Sequence, residues 1–285
     1  MSPNILSQIQ GLEDLGGRLE KDGYAILQGT DFLAGILEAA ITRGLEFFQT
    51  PEPERWRGFS PTLLAGYRGI GTEYSQHPDR PDLMEAISLS SQDVREARWA
   101  HPANQGSFEA SFAATARALG QIATKVLAAL RSHYGLSAQG SRLRCDRHSF
   151  LQLSYYQPAK QGERMLQEEH EDGNLFTLVH ARQPGLEIRR KDGRFEPVVL
   201  SAGDLMIMPS DILSLLTGHR IETLFHRVRS YPEIDVRVSV MYFVNPNPVP
   251  GRALRPWVLN ASNEGIDIMA RTIENPLRFG LPALG

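Results

Sequence analysis

Two histidines and one aspartate in the second half of the chain have the types and spacing of a metal site. His170 and Asp172 lie two residues apart, so on an extended segment their side chains would point to the same face. A second histidine on a neighbouring strand, His226, would complete a set of three ligands around one ion. Two imidazoles and one carboxylate that leave coordination positions open are the ligands of non-haem Fe(II) oxygenases. The pattern therefore predicts a mononuclear Fe(II) site.

The choice of the second histidine depends on the local pattern. His226 lies inside the apolar run 223–228, where a strand would direct it inward. His219 follows a threonine-glycine turn signal and is expected to face solvent. His148 and His180 lie near predicted strands and stay open as alternatives. A hydrogen-bonded structural role is the ordinary explanation of a single histidine, but it explains a set of three less well.

A candidate carboxylate anchor follows in the sequence. On a strand, Arg237 and Ser239 would share one face, while Val236, Val238 and Val240 would pack the other. The planar guanidinium matches a carboxylate with two parallel hydrogen bonds, and the serine adds a hydroxyl. The pair predicts an anchor for one carboxylate near the metal. The alternative is a surface arginine on an edge strand.

A third group lies on the run 151–156. If this run is a strand, Gln152, Ser154 and Tyr156 project from the same face. Tyr156 could then donate its hydroxyl to the anchored carboxylate, and Gln152 could reach a substrate. The alternative is that the tyrosines are half-buried packing residues.

Residues 55–104 show no regular period and are rich in Gly, Pro, Arg and Tyr. Long segments of this kind are often functional, and Tyr67, Arg68 and the pair Glu73-Tyr74 could line the mouth of a pocket. A solvated connector is the alternative.

The pattern of elements changes near residue 140. Before it, helices are predicted from about residue 12 to Asp22, from Asp31 as N-cap to about Pro51, and over 105–134, with a short strand at 24–27. After it come short strand-like runs, namely 151–156, 175–180, 186–190, 198–200, 205–208, 223–228 and 236–244. Asp192-Gly193 is a hairpin signal. Many short strands with polar turns predict a β-barrel or sandwich.

Composition excludes several classes of function. The net charge of −3 gives no electrostatic case for binding nucleic acid or an anionic membrane. No stretch approaches the roughly 20 apolar residues of a membrane helix, and no signal peptide is apparent at the N-terminus. The single cysteine, Cys145, fits a reducing compartment, so a cytoplasmic location is expected.

Taken together, these motifs resemble the isopenicillin N synthase-like family of Fe(II)/2-oxoglutarate-dependent oxygenases. The matching segments are 151–158, 170–172, 184–188, 202–205, 215–218, 223–228 and 237–239, with looser likeness at 22–24 and 66–68. The resemblance implies a mainly β fold with flanking helices, in which a double-stranded β-helix (a jelly-roll, cupin-like barrel) follows a helical N-terminal region. It further implies one domain over 1–285, with a mostly helical region at 1–140, the jelly-roll core at 141–245 and a tail over the barrel at 246–285.

The resemblance also implies roles for individual residues. His170, Asp172 and His226 would hold the iron. Arg237 and Ser239 would bind the distal carboxylate of 2-oxoglutarate with help from Tyr156. The family often has asparagine at the position of Ser154, so that residue receives no role.

The function implied is a dioxygenase that uses Fe(II), 2-oxoglutarate and O2, with ascorbate as a candidate reductant. It would oxidise a small polar metabolite or natural-product intermediate by hydroxylation, desaturation or cyclisation, and would release succinate. Related halogenases lack the carboxylate ligand, so Asp172 argues against halogenation. Gln152, Arg68 and Tyr67 are the predicted substrate contacts. The alternatives are a 2-oxoglutarate-independent Fe(II) oxidase and a non-catalytic barrel that binds a small acid.

Overall fold

The computed structural model describes residues 9–51, 65–96, 107–137, 143–157, 165–249 and 253–284. The helices are α1 (Leu15–Asp22), α2 (Asp31–Gln49), α3 (Ser91–Glu96), α4 (Ser107–His133), α5 (Asp211–Leu216) and α6 (Ile268–Glu274), followed by a 3-10 helix over Asn275–Phe279. The strands are β1 (Ala25–Leu27), β2 (Ala65–Arg68), β3 (Met84–Ser90), β4 (Phe150–Tyr156), β5 (Met165–His170), β6 (Phe176–Ala181), β7 (Leu186–Arg189), β8 (Phe195–Pro197), β9 (Leu205–Pro209), β10 (His226–Arg229) and β11 (Arg237–Val244).

The strands form two antiparallel sheets. The large sheet has the order β1-β9-β6-β11-β4-β3-β2, and the small sheet has the order β5-β10-β7-β8. This is the predicted double-stranded β-helix. Neighbouring strands come from distant parts of the chain, so residues far apart in sequence meet in the space between the sheets.

The central strands β4 and β11 are buried on both faces. Their register places Arg237 opposite Tyr156 and Met241 opposite Gln152. Side chains alternate along a strand, so these residues share the inner face. On the outer face, Leu151, Leu153, Tyr155, Val238 and Val240 belong to the main hydrophobic cluster, with α2 and α4 packed over them. The predicted alternation along both strands is therefore confirmed.

The 105–134 prediction is confirmed by α4, whose buried residues include Phe112, Leu119 and Val126. The hairpin signal is confirmed as well. Gly193, with φ +82°, lies in the turn between β7 and β8. Positive φ strains most side chains but not glycine.

The prediction of irregular structure over 55–104 is wrong for three elements, β2, β3 and α3. β3 is a buried strand of the large sheet and pairs with β4. Its sequence, MEAISLS, carries polar residues on both faces, because Glu85 lies on the outer face and Ser88 on the inner one. This distribution hides the usual alternation of apolar and polar residues. Residues 55–64 and 97–104 lie outside the described ranges.

Smaller differences concern the ends of elements. Thr30 is the N-cap of α2, since its hydroxyl accepts from the Leu33 amide, and Asp31 is the first helical residue. The strand predicted at 198–200 lies earlier, at Phe195–Pro197. Within the described ranges, no helix has both the length and the apolar character to cross a membrane.

Candidate metal centre and adjoining cavity

The three predicted metal ligands lie at one end of the small sheet. His170 ends β5 and His226 begins β10, and the antiparallel register places them directly opposite each other. Their ring centroids are 4.3 Å apart. Asp172 follows in the turn after β5, where Gly173 adopts φ +68°. The pairing of β5 with β10 is what brings His226 next to the His170-Asp172 pair.

The ligand atoms converge on one point. Asp172 Oδ1 lies 3.8 Å from His170 Nε2 and 3.5 Å from His226 Nε2. One ligand atom from each of the three residues lies within 4.8 Å of the others. This is the arrangement expected of a site for a single ion, and the donor set of two imidazoles and one carboxylate suits Fe(II).

Neighbouring groups orient these ligands. His170 Nδ1 donates a hydrogen bond to the Glu168 carbonyl at 2.7 Å, which leaves Nε2 free to bind a metal. Asp172 Oδ2 accepts from the Thr177 hydroxyl, while Oδ1 faces the two imidazoles. Such partners fix the tautomer of a histidine ligand and the rotamer of a carboxylate ligand.

The electrostatics of the site also favour a cation. Burial, helped by the neighbouring His226, lowers the pKa of His170 to about 3, and burial lowers the pKa of His226 to about 4. Both imidazoles are therefore neutral at pH 7, which is the form that binds metal. Burial also raises the pKa of Asp172, and a bound cation would offset that desolvation.

The predicted carboxylate anchor is buried on β11, close enough to the metal ligands for the charge of Arg237 to help lower the pKa of His226. Arg237 is 2% exposed, and its Nη1 donates to Ser239 Oγ. Its guanidinium carbon lies 5.1 Å from the centre of the Tyr156 ring. Arg237 Nε is buried without a hydrogen-bond partner. A buried guanidinium with an unused donor fits an anionic ligand such as a carboxylate. The Tyr156 hydroxyl donates to Gln167 Oε1 at 2.9 Å.

Gly185 leaves room for this arginine. Its φ is +137°, and a Cβ at this position would lie 3.0 Å from both Cδ and Nε of Arg237 and 3.1 Å from the Arg229 carbonyl. A side chain at position 185 would therefore strain the backbone and push the guanidinium away from its place.

We expect Gly185→Ala to destabilise the protein by about 1–3 kcal/mol and also to raise the apparent KM for 2-oxoglutarate. The control is Gly193→Ala, because Gly193 also has positive φ but has open space around its missing Cβ. Urea unfolding should report destabilisation in both variants, whereas steady-state kinetics should show a changed KM only for Gly185→Ala. An unchanged KM in a folded Gly185→Ala protein would contradict the role of this glycine.

A cavity of about 690 Å³, including its opening to solvent, adjoins the three ligands. Its polar lining comes from Glu73, Asp82, Gln152, Gln167, Asn174, Asn245 and Asn275. Its apolar lining includes Tyr74, Met84, Phe150, Met241, Phe243, Phe279 and Leu281. The cavity is thus polar on one part of its wall and aromatic on another.

The predicted substrate contacts differ in where they lie. Gln152 lines the cavity, and Arg68 lies behind it with Nη2 2.6 Å from Gln152 Oε1. Tyr67 lies on the opposite face of β2, packs in the main hydrophobic cluster and donates its hydroxyl to Glu85. The alternation of side chains along β2 therefore separates Tyr67 from the cavity that Arg68 and Gln152 adjoin.

Sequence reasoning missed several residues of the cavity wall. Asp82 precedes β3, and no local motif marks it. Asn174 lies two residues after Asp172, so its closeness to the metal motif could have indicated it. Asn275 and Phe279 belong to the C-terminal segment, which meets the metal-site turn through Asn275 Nδ2 donating to the Gly173 carbonyl and through an ion pair of Arg278 with Glu171.

The histidine alternatives are also placed by the structure. His219 is exposed, has φ +61°, and its Nδ1 lies 2.8 Å from Ser214 Oγ. His180 is buried, and its Nδ1 donates to the Asp204 carbonyl at 2.8 Å. Within the described residues, His226 is the histidine that joins His170 and Asp172 in one cluster.

Comparison with known sequences identifies relatives of the chain. Residues 147–246 match the model of the 2OG-Fe(II) oxygenase superfamily. A 2-oxoglutarate-dependent dioxygenase of Gibberella zeae is 25% identical over 210 residues, which cover 70% of this chain and 62% of that protein. A 1-aminocyclopropane-1-carboxylate oxidase homolog of Arabidopsis thaliana is 32% identical over 110 residues, which cover 36% of this chain and 30% of that protein. The chain thus matches less than two thirds of the length of either relative.

Solved structures show the same fold over nearly the whole chain. A putative 2OG-Fe(II) oxygenase family protein from Caulobacter crescentus has a TM-score of 0.76 at 24% identity and covers 94% of this chain and 93% of its own. A full-length Neurospora crassa protein, solved in complex with alpha-KG and thymine, has a TM-score of 0.73 at 21% identity and covers 92% of this chain and 90% of its own. The family model thus matches the jelly-roll strands of this chain, and these solved structures show that the chain has the fold of 2OG-Fe(II) oxygenases, which confirms the resemblance seen in the sequence.

Proposed function

We propose that this protein is an Fe(II)- and 2-oxoglutarate-dependent dioxygenase that oxidises a C–H bond of a small molecule. The observation that carries the proposal is the convergence of His170, Asp172 and His226 within 4.8 Å of one another beside the buried pair Arg237 and Ser239. The first set suits iron, and the second suits the distal carboxylate of 2-oxoglutarate. A 2-oxoglutarate-independent oxidase of this fold could use the same pair to bind the carboxylate of its substrate, so succinate formation distinguishes the two functions.

Each group has a distinct role in this proposal. When bound, iron would supply the activation of O2 that couples oxidation of the substrate to conversion of 2-oxoglutarate into succinate and CO2. The three ligands hold the metal and leave positions open for other molecules. Arg237 and Ser239 orient the keto acid, and the aromatic ring of Tyr156 covers the guanidinium. Burial of these groups keeps bulk water away from their charges.

The substrate is proposed to be a small organic molecule. The cavity beside the metal ligands holds about 690 Å³ and is bounded by side chains from β3, β4, β11 and the C-terminal segment. A concave wall of apolar side chains with a few polar groups is typical of small-molecule sites. The Neurospora crassa protein was solved with alpha-KG and thymine, and JOX2 with 2OG, Fe and JA, so the fold accommodates such ligands.

The proposal is tested by reconstituting the purified protein anaerobically with Fe(II) and then adding 2-oxoglutarate, ascorbate and O2. We expect O2 consumption and succinate formation that require both Fe(II) and 2-oxoglutarate. Candidate small molecules that raise the rate are then sought in the same assay. Oxygen uptake that continues at full rate without 2-oxoglutarate would instead indicate a different Fe(II) oxidase. Failure to bind iron and to form succinate would indicate a binding protein.

A further inference from the structure

Asp82 is a buried carboxylate in the cavity wall, and among the residues that the structure describes no cation lies beside it. It is 4% exposed, and its oxygens accept from Ser75 N at 3.2 Å, from Ser75 Oγ at 3.0 Å and from Gln167 Nε2 at 3.1 Å. All these donors are neutral. Within the described ranges, no lysine, arginine or histidine nitrogen lies within ion-pair distance of this carboxylate. A buried carboxylate without a cation is costly unless a ligand supplies the opposite charge.

Glu73 adds a second carboxylate to the same wall. Arg68 Nε lies 2.5 Å from Glu73 Oε1, and the same guanidinium also donates to Ser88 and Gln152. Arg68 therefore forms its ion pair with Glu73 and not with Asp82. Among the described residues, two carboxylates and one guanidinium leave one negative charge at this part of the cavity when both acids are ionised. Burial, with Glu73 adding to it, raises the pKa of Asp82 to about 7, as expected where a positive charge is missing.

Asn174 is an independent indication that the cavity binds a ligand with a hydrogen-bond donor. Its side chain is 2% exposed and lines the same cavity. Asn174 Nδ2 donates at 3.1 Å to both the Phe176 carbonyl and Thr177 Oγ1, which sets the orientation of the amide. Asn174 Oδ1 is left buried without a hydrogen-bond partner. An orphan acceptor of this kind in a binding cavity points to a ligand N–H or O–H group.

The rest of the wall suits an organic cation. Phe150 and Phe243 are stacked with centroids 4.7 Å apart, and both line the cavity together with Phe279. Aromatic faces pack against hydrocarbon and also attract cations. The wall therefore offers carboxylates to a charged nitrogen and rings to the carbon frame that carries it.

We propose that the substrate of this site carries a cationic nitrogen, an ammonium or guanidinium group, which binds to Asp82 and Glu73 while its apolar part lies against the phenylalanines. Asn174 accepts a further hydrogen bond from the same molecule. The inference rests on the proposed function in one respect, since it takes this cavity to be the substrate site. It is a claim about binding and does not depend on turnover.

The test compares three probes of one shape, namely 2-phenylethylamine, 2-phenylethanol and phenylacetate. Their binding to the protein is measured anaerobically by titration calorimetry, both with Fe(II) and 2-oxoglutarate bound and with neither present. We expect the amine to bind at least about tenfold more tightly than the alcohol or the acid, because one charge-assisted hydrogen bond is worth about 1.5–3 kcal/mol. Asp82→Asn should remove most of this preference.

Two further variants complete the test. Glu73→Gln, made as a separate variant, should also weaken the preference for the amine. The result then does not depend on the folding of Asp82→Asn alone. Asp192→Asn, in the exposed β7–β8 turn, should leave it unchanged. Tighter binding of phenylacetate, no detectable binding of the amine, or an undiminished amine preference in folded Asp82→Asn would each overturn the proposal. Failure of the oxygenase function would look different, because the protein would keep its amine preference but would form no succinate even when Fe(II), 2-oxoglutarate and O2 are supplied.

Discussion

Asp172→Ala should lose iron binding and substrate-coupled succinate formation while keeping its fold. The variant leaves two imidazoles, which hold the metal less tightly and less specifically. Changes in the partners of a metal ligand already cost about 10–100-fold in affinity or activity, so loss of the ligand itself should exceed that range. The fold should tolerate the change. Burial raises the pKa of Asp172, so the ionised carboxylate lowers the stability of the metal-free protein, and its removal should not unfold it.

The measurement pairs iron content after anaerobic reconstitution with succinate release, and circular dichroism monitors the fold. His219→Ala is the matched control, because it removes an exposed imidazole from the same half of the chain. Both readouts should stay at the wild-type level in that variant. Iron bound stoichiometrically by Asp172→Ala, together with succinate release that still responds to a substrate, would rule out the assigned ligand set.

Arg237→Ala should raise the apparent KM for 2-oxoglutarate by roughly 30-fold or more, since truncating one partner of a buried hydrogen-bonded charge pair costs about 2–5 kcal/mol. The effect on kcat should be smaller, because the guanidinium holds the end of the keto acid that does not react. Arg237→Lys should recover only part of the loss, since lysine keeps the charge but cannot form two parallel hydrogen bonds.

Arg194→Ala is the control, because that arginine lies in the exposed β7–β8 turn and its side chain is 85% exposed. Its KM for 2-oxoglutarate should equal that of the wild type. The dissociation constant of 2-oxoglutarate, measured anaerobically with Fe(II), should follow the kinetic result. If that constant were the same in Arg237→Ala and in the wild type, the cosubstrate would have to be anchored elsewhere.

Much of the candidate site could be predicted from the sequence because most of its residues lie on strands, where side chains alternate with a period of two, and Asp172 lies in the turn directly after one. His170 and Asp172, Arg237 and Ser239, and Gln152 and Tyr156 are each separated by an even number of residues. The apolar residues between Arg237 and Ser239 and between Gln152 and Tyr156 belong to the main hydrophobic cluster. The alternation of apolar and polar residues therefore predicts which side chains of β4 and β11 share a face. It does not predict whether Tyr67 or Arg68 faces the cavity, because β2 itself was not predicted.

The cavity wall could not be predicted in the same way. Asp82, Asn275 and Phe279 carry no motif. The segment before β3 reaches the cavity because it hydrogen-bonds to β5 and to the C-terminal segment, and the C-terminal segment reaches it because it contacts the turn that holds Asp172. β3 was also missed, since Glu85 and Ser88 place polar groups on both of its faces.

The sequence by itself indicated the chemistry of the candidate metal ligands and the candidate carboxylate anchor, because residue type and even spacing suffice to place donors on one face of an extended segment. Only the tertiary structure decided that His226 stands opposite His170, that Arg237 lies beside Tyr156, and that Asp82 lines the cavity with no cation beside it in the described part of the chain. The physical reason is that strand pairing and loop packing join residues roughly two hundred positions apart (Asn275 and Tyr74, for example, line one cavity). No local periodicity encodes such contacts.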